Sequence, residues 1–224
     1  MKLYIVATPI GNLQDISLRA IEVLKSVQAV LCEDTRNSKK LMDAYGIRTR
    51  LISYHQHSTP DKVKQLIGLI KNNREAALIT DAGTPGISDP GNKFIEAVLE
   101  SLGEECQIIP IPGPSAIIAA LSISGLPTDR FIFLGFLPHK KGRETTFNNI
   151  LNSSETVVFY ESKHRIFKTM ERLAEIMPKD RRLMACRELT KKFETVYRGN
   201  AGEVLLKMRQ SDERGEFVIV VEGK

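Results

Sequence analysis

A chain of 224 residues, 42% hydrophobic and without tryptophan, carries 32 lysines and arginines against 27 acidic residues, a formal net charge of +5. That length suits one large domain or two small ones, either able to bury a core, and no apolar run is long enough to span a bilayer, which excludes a helical membrane protein. The mild basicity is compatible with an RNA or phosphate partner and equally with a plain solvated surface.

The chain opens on an apolar strand, Leu3 to Thr8, with no charged leader before it, so a soluble, cytoplasmic protein is expected. Pro9-Ile10-Gly11-Asn12 turns the chain, and Ser17 caps a helix whose apolar face reads Leu18, Ile21, Leu24 and Val27. A strand from Ala29 to Cys32 ends in Glu33-Asp34-Thr35-Arg36. A helix from Asn37 to Tyr45 then stops at Gly46. Leu51 to Tyr54 reads as a short strand before His55-Gln56-His57-Ser58. Thr59-Pro60 opens a helix with Val63, Leu66, Ile67 and Ile70 on one face. Strand Ala77 to Thr80, a long loop, a helix from about Asn92 to Ser101 and strand Gln107 to Ile111 follow. This alternation predicts an α/β fold with a mostly parallel sheet and helices on both faces.

Three prolines at Pro110, Pro112 and Pro114 mark a boundary, giving an N-terminal domain over 1–113 and a C-terminal one over 114–224. The second half reads helix Ser115 to Ser124, strand Phe131 to Leu134, helix Arg143 to Leu151 and strand Thr156 to Tyr160. A helix over Ile166 to Met177, strands Leu183 to Cys186 and Glu194 to Arg198, helix Ala201 to Met208 and strand Glu216 to Glu222 complete it. Hairpin-like neighbours predict a mixed sheet here. Cys32, Cys106 and Cys186 lie far apart in apolar runs, with no CxxC pair and no zinc spacing, so buried free thiols and no metal are expected.

Three strand-end loops carry the chemistry: Thr8 to Asn12, Asp81 to Gly91, and Pro112 to Ala116. In open α/β sheets ligands bind beyond the carboxyl ends of the strands, glycines let backbone approach a ligand, and prolines stiffen the loop. None of the loops matches a P-loop or the GxGxxG dinucleotide fingerprint.

The ensemble resembles a family. Ala7-Thr8-Pro9-Ile10-Gly11-Asn12-Leu13, Glu33-Asp34-Thr35-Arg36, the string Thr80 to Gly91, and Pro112-Gly113-Pro114-Ser115-Ala116 follow one another as in the ribosomal RNA small subunit methyltransferase I branch of the tetrapyrrole methylase superfamily. Gly135-Phe136-Leu137-Pro138, Phe159-Tyr160-Glu161-Ser162, Arg187-Glu188-Leu189-Thr190-Lys191 and Gly215-Glu216-Phe217 continue the match. The resemblance implies a class III methyltransferase: two small α/β domains, S-adenosylmethionine in the cleft between them, and a homodimer. Its implied activity is methylation of the ribose 2′-hydroxyl of a cytidine in the decoding region of 16S rRNA, with the 30S subunit as partner. It also implies that Pro9, Asp81, Ala82, Gly83, Ile87, Ser115, Ala116, Tyr160, Glu188 and Leu189 hold the cofactor, and apolar Phe136, Leu137 and Ile87 suit the dimer interface.

Two departures stand beside the match. Family members often carry a further C-terminal segment, whose rRNA contacts are expected to be missing or replaced here. His55-Gln56-His57 also stands where the family tends to have His-Asn-Glu.

A ribose hydroxyl is a weak nucleophile at neutral pH, so a positioned base should help. Glu33, Asp34, His55, Asp81 and Glu161 sit at strand ends, with Asp81 better suited to accept hydrogen bonds from cofactor or loop amides. Arg36, Lys140, Lys141, Arg143, Lys163 and Arg165 follow strand ends and are expected to meet rRNA phosphates. Aromatic interleaving is weak, so no stacking platform is expected. Two rivals stay open, a tetrapyrrole methylase acting on a precorrin-like macrocycle and a non-catalytic RNA-binding ribosome-assembly module.

Overall fold

Alternation of side chains along each strand decides where the helices of the first half go. In the computed structural model, which describes residues 1–55, 58–210 and 214–224, the chain divides into two units, Met1–Ser115 and Ala116–Lys224. Strands β1 (Lys2–Val6), β2 (Ala29–Cys32), β3 (Arg50–Ser53), β4 (Glu75–Leu78) and β5 (Gln107–Ile111) form one sheet in the order β3-β2-β4-β1-β5, with every strand pairing parallel. The period of two turns Val6, Val30, Cys32 and Ala77 toward α1 (Leu18–Ser26) and α2 (Thr35–Ala44). Leu3, Leu31, Ala76 and Leu78 face α3 (Pro60–Asn73) and α4 (Asn92–Leu102) instead. Helices therefore cover both faces of the sheet, as the sequence predicts and as a parallel sheet requires.

Local signals set most of the helix starts. Ser17 accepts the Ala20 N–H, Asp34 the Arg36 N–H and Thr59 the Lys62 N–H, and Pro60 is the first residue of its helix. Because Asp34 caps α2, that helix begins at Thr35, two residues before the Asn37 expected from the apolar pattern. Leu18 departs from the expected face of α1: it is 79% exposed, while Ala20, Leu24 and Val27 face the core. Gln56 and His57, within the segment noted as departing from the family pattern, lie outside the described residues.

The second unit holds β6 (Phe131–Phe136), β7 (Thr156–Ser162), β8 (Arg182–Arg187), β9 (Thr195–Asn200) and β10 (Glu216–Val221) in the order β6-β7-β10-β8-β9. Only β6 and β7 pair in parallel, so the sheet is mixed, as expected. Its core packs β-strand residues Phe159, Ala185 and Ile219 against Phe147 of α6 (Arg143–Asn152), Met170 of α7 (Ile166–Ile176) and Val204 of α8 (Ala201–Arg209), while α5 (Ala116–Ser124) lies against β7 and β10. Leu137, expected at a dimer interface, belongs to this core at 2% exposure. Strands β6, β7 and β8 run the same way, so the segments after them and the entry to β10 share one edge.

All three cysteines are buried and free. Burial pushes the Cys186 thiol up to about 12, which makes it a packing residue rather than a nucleophile. No helix among the described residues is long and apolar enough to cross a membrane.

Candidate functional site

Parallel strands put all their carboxyl ends on one edge. In the first sheet β1 and β4 are neighbours, yet the chain leaves β1 toward β2 on one side and leaves β4 toward β5 on the other. That reversal is the switch point at which open α/β sheets bind ligands. The two loops leaving it are bonded to each other. Thr8 N–H donates to the Gly83 carbonyl at 2.9 Å, and Gly83 N–H returns a bond to the Thr8 carbonyl at 3.0 Å. The Thr8 hydroxyl donates to the Thr80 carbonyl at 3.0 Å.

Gly83 has φ +83°, and a Cβ there would sit 3.5 Å from Ile10 Cγ2. The third loop joins through Thr84, whose hydroxyl donates to the Pro114 carbonyl at 3.3 Å, and through Gly113, where a Cβ would come within 3.1 Å of Ala7 Cβ. Pro9, Asp81, Ala82, Gly83 and Ser115 are therefore brought to one edge of the first unit. Ile87, in the same long loop as Asp81, is 47% exposed.

Asp81 also fastens its loop to the first turn of α2. Its Oδ1 accepts the Asp34 N–H at 3.3 Å and its Oδ2 accepts Asn37 Nδ2 at 3.0 Å. Asp34 is committed elsewhere. Its carboxylate caps α2 through the Arg36 N–H at 2.8 Å and pairs with the Arg36 guanidinium at 2.7 Å, which holds its carboxyl down to about 2. Such a group is ionised throughout the physiological range and too weakly basic to draw a hydroxyl proton. Glu33 behaves oppositely. Burial pushes its carboxyl above the usual range, the Asp81 and Asp34 charges add to this, and His55 opposes it. His55 is exposed, and its backbone N–H donates to the Ser58 hydroxyl at 3.1 Å.

Two buried hydroxyls on the elements that meet at Asp81 went unnoticed in the sequence. Ser38 on α2 and Thr80 at the exit of β4 are 4% and 2% exposed, and neither side-chain oxygen has a hydrogen-bond partner among the described residues. Buried polar atoms without partners are rare and call for a missing ligand or water. The available signal was a threonine closing the aliphatic run Ala76-Ala77-Leu78-Ile79. Asn37 was missed too, because only the fold brings it to Asp81.

The remaining candidates lie on the second unit. Ala116 begins α5, and the half-buried Tyr160 packs its ring against Phe133 and Phe136 at centroid distances of 5.1 and 5.4 Å. Glu188 and Leu189 follow β8. Leu189 is buried, while Glu188 accepts the Glu216 N–H at 2.9 Å and Lys191 Nζ at 3.0 Å. Burial raises the Glu188 carboxyl, but those hydrogen bonds outweigh it and the net shift is downward.

Glu161, a candidate base, is 1% exposed and encircled. Arg165 reaches it at 2.7 Å and Arg143 at 3.6 Å, the Thr169 hydroxyl donates at 2.7 Å, and the Ser162 N–H donates at 2.9 Å. Arg143 also donates to the Pro138 carbonyl at 2.9 Å and Arg165 to the Leu137 carbonyl at 2.6 Å. Arg143 and Arg165 thus depart from the expected role of loop-tip phosphate ligands. Their side chains, 17% and 14% exposed, clamp the segment after β6 onto a buried carboxylate. Lys140, Lys141 and Lys163 are exposed on the segments so held, and Arg36 on the first unit is 87% exposed at its side chain.

Residues 2–205 match the family model for tetrapyrrole (corrin/porphyrin) methylases. A ribosomal RNA small subunit methyltransferase I from Halalkalibacterium halodurans is 44% identical over 99% of this chain and 75% of its own length. The protein of the same name from Thermotoga maritima is 37% identical over 100% of this chain and 99% of its own. Among solved structures, a cobalamin biosynthetic enzyme, cobalt precorrin-4 methyltransferase, superposes with a TM-score of 0.73 at 16% identity, covering 99% of this chain and 94% of that one, which is a likeness of fold. Matched over nearly its whole length, the chain belongs to the tetrapyrrole (corrin/porphyrin) methylases, in the branch of the ribosomal RNA small subunit methyltransferase I proteins.

Proposed function

We propose that this methyltransferase transfers a methyl group from S-adenosylmethionine to the 2′-hydroxyl of a cytidine ribose in the decoding region of 16S rRNA, within the 30S subunit and in the cytoplasm. The observation that carries the reading is the bonded convergence of three Gly/Pro-rich loops at the switch point of the first sheet, in a chain whose relatives bear an rRNA methyltransferase name.

Methyltransferases of this family use S-adenosylmethionine, and the residues present fit it. Gly83 holds the loop in a left-handed backbone at φ +83°, the buried Thr80 hydroxyl lacks a partner among the described residues, and Asp81 presents acceptor oxygens at the same edge. Pro9, Asp81, Ala82, Gly83, Ile87 and Ser115 are the residues of the first unit that would hold it. When bound, it supplies a methyl group on a sulfonium.

In-line displacement needs the nucleophile held at near-attack distance, which falls to the residues that dock the RNA. Glu33 is the proton acceptor this reading favours: its raised carboxyl lies nearer the working range of a general base than the strongly ionised Asp34. The deciding experiment is mass spectrometry of ribose methylation in 16S rRNA with and without the protein, beside methyl incorporation into a free tetrapyrrole macrocycle. Incorporation into the macrocycle alone would overturn the reading in favour of small-molecule chemistry.

Arg36, Lys140, Lys141 and Lys163 meet rRNA phosphates in this reading. Lys140→Glu/Lys141→Glu is expected to weaken 30S binding and to flatten its salt dependence by about 0.7 to 0.9 for each lost contact. Cofactor affinity should stay unchanged, because these side chains act on the RNA. Parental methylation and salt slope in the double variant would return them to the solvated surface. We also propose a homodimer, with the exposed Phe136 and Ile87 as interface material. Light scattering should give twice the chain mass at micromolar protein, and a monomer mass removes the proposal.

A further inference from the structure

The hairpin that joins β8 to β9 presents an aromatic ring to solvent from a backbone that is held on every side. Phe193 is 65% exposed, against 54% for Phe136 and 39% for Phe131, the other phenylalanines with large exposure. Lys192 Nζ lies 5.5 Å from the centre of its ring. Beneath the ring the loop is locked. Arg187 donates to the Phe193 carbonyl at 3.4 Å and to the Arg214 carbonyl at 2.6 Å. Thr190 N–H donates to Glu194 Oε2 at 2.6 Å, and Lys191 Nζ bridges Glu188 and Glu216 at 3.0 and 2.7 Å. Glu188 and Thr190 hold left-handed backbone at φ +52° and +63°, uncommon for residues other than glycine.

Left-handed backbone at residues other than glycine collects at functional sites, and here it carries a large apolar ring exposed to water instead of folded onto the domain. The chemistry around it names the partner. Ser162 and Arg187 pair with Glu216 and Phe217 at the start of β10, so the β8–β9 hairpin, the Lys163 segment and the Lys140–Lys141 segment share one edge of the second sheet. Cations spread along an edge with the exposed Phe193 ring among them suit a polyanion that also offers flat, stackable faces: a single-stranded nucleic acid with an unstacked base.

We propose that Phe193 is a base-stacking residue of the RNA-binding edge, with Lys192 beside it on the adjoining phosphate. This rests on the rRNA reading above and adds to it the form in which the RNA is taken, unpaired at the contact. Weak aromatic interleaving argues against a stacking platform, and the proposal asks for a single ring.

The test measures binding of a short unpaired 16S rRNA fragment carrying 2-aminopurine, and methylation of 30S subunits, for the parent, Phe193→Leu, Phe193→Trp and Lys192→Gln. Phe193→Leu, apolar but not aromatic, is expected to weaken RNA binding by about tenfold and to lose the stacking quench of the fluorophore, with the salt slope unchanged. Phe193→Trp should keep or tighten binding. Lys192→Gln should lower the salt slope by about 0.7, the value for one contact to a single strand. S-adenosylmethionine affinity should match the parent in all three. Parental RNA affinity and quench in Phe193→Leu overturn the stacking role while leaving the rRNA reading in place. A parent that neither binds the fragment nor methylates 30S subunits overturns the reading itself.

Discussion

Replacing Glu161 with alanine is expected to cost the second unit about 3–5 kcal/mol, the usual effect of removing one partner from a buried ion pair. The cost comes from what stays behind. Arg143 and Arg165, both less than one-fifth exposed at the side chain, would face each other across an empty anion site, and the Thr169 hydroxyl and Ser162 N–H would lose their acceptor. For a unit of this size each kcal/mol moves the melting temperature by roughly 4–8 °C, so calorimetry should find the unit's transition lowered by well over ten degrees. Glu161→Gln keeps one acceptor oxygen and should fall between variant and parent. Its methylation of 30S subunits, measured well below the transition, should stay near the parent, because the carboxylate acts through the arginines it holds. Parental stability in both variants would mean that the loop after β6 is held by something other than this clamp. A fully stable Glu161→Gln that no longer methylates 30S subunits would instead reinstate Glu161 as the base.

The second large effect is expected at the switch point of the first sheet. Asp81→Ala should weaken S-adenosylmethionine binding by about tenfold or more, equivalent to ~1.4 kcal/mol for a lost polar contact. It also frees α2 from the loop by removing the acceptor of the Asp34 N–H and the Asn37 amide. Gly83→Val should do more. A β-branched residue is a conformational outlier at positive φ, and at φ +83° the loop would have to shift where it is bonded to Thr8. Calorimetric titration of the two folded variants reads both effects. Unchanged affinity in both would take the Asp81 loop out of the cofactor site.

Much of this molecule is legible in its sequence because its local signals agree with its long-range ones. Ser17, Thr59-Pro60 and Gly46 mark helix ends that the structure keeps, and the strand runs fall within a residue or two of their predicted bounds. The errors have a common cause. Leu18 fits the helical spacing, yet at the first turn of α1 it points away from the sheet, and spacing alone does not say which of two overlapping faces is covered. Arg143 and Arg165 look like loop-tip cations because the carboxylate that captures them lies on a strand: Arg143 reaches it only once β6 and β7 are paired, and Arg165, four residues after it, only through the turn that leaves β7. Thr80 and Ser38 were invisible for the same reason. A hydroxyl without a partner is a property of packing, and no pattern of residues records it.

Sheet order also fixes the order in which the two units can be completed as the chain is made. In the first, β1 pairs with both β4 and β5, so the earliest strand synthesised waits until Ile111 for its second neighbour. In the second, β10 is the last strand made and sits between β7 and β8, at the centre of the sheet. Until Glu216–Val221 emerge, β7 and β8 face each other across a gap with unpaired backbone and apolar edges, a state prone to association with other chains. Loss of a few residues from β10 would therefore divide that sheet rather than trim it. The first unit can close around its loops before the second is made, whereas the second, with its clamp and its exposed ring, takes shape only once β10 has been added.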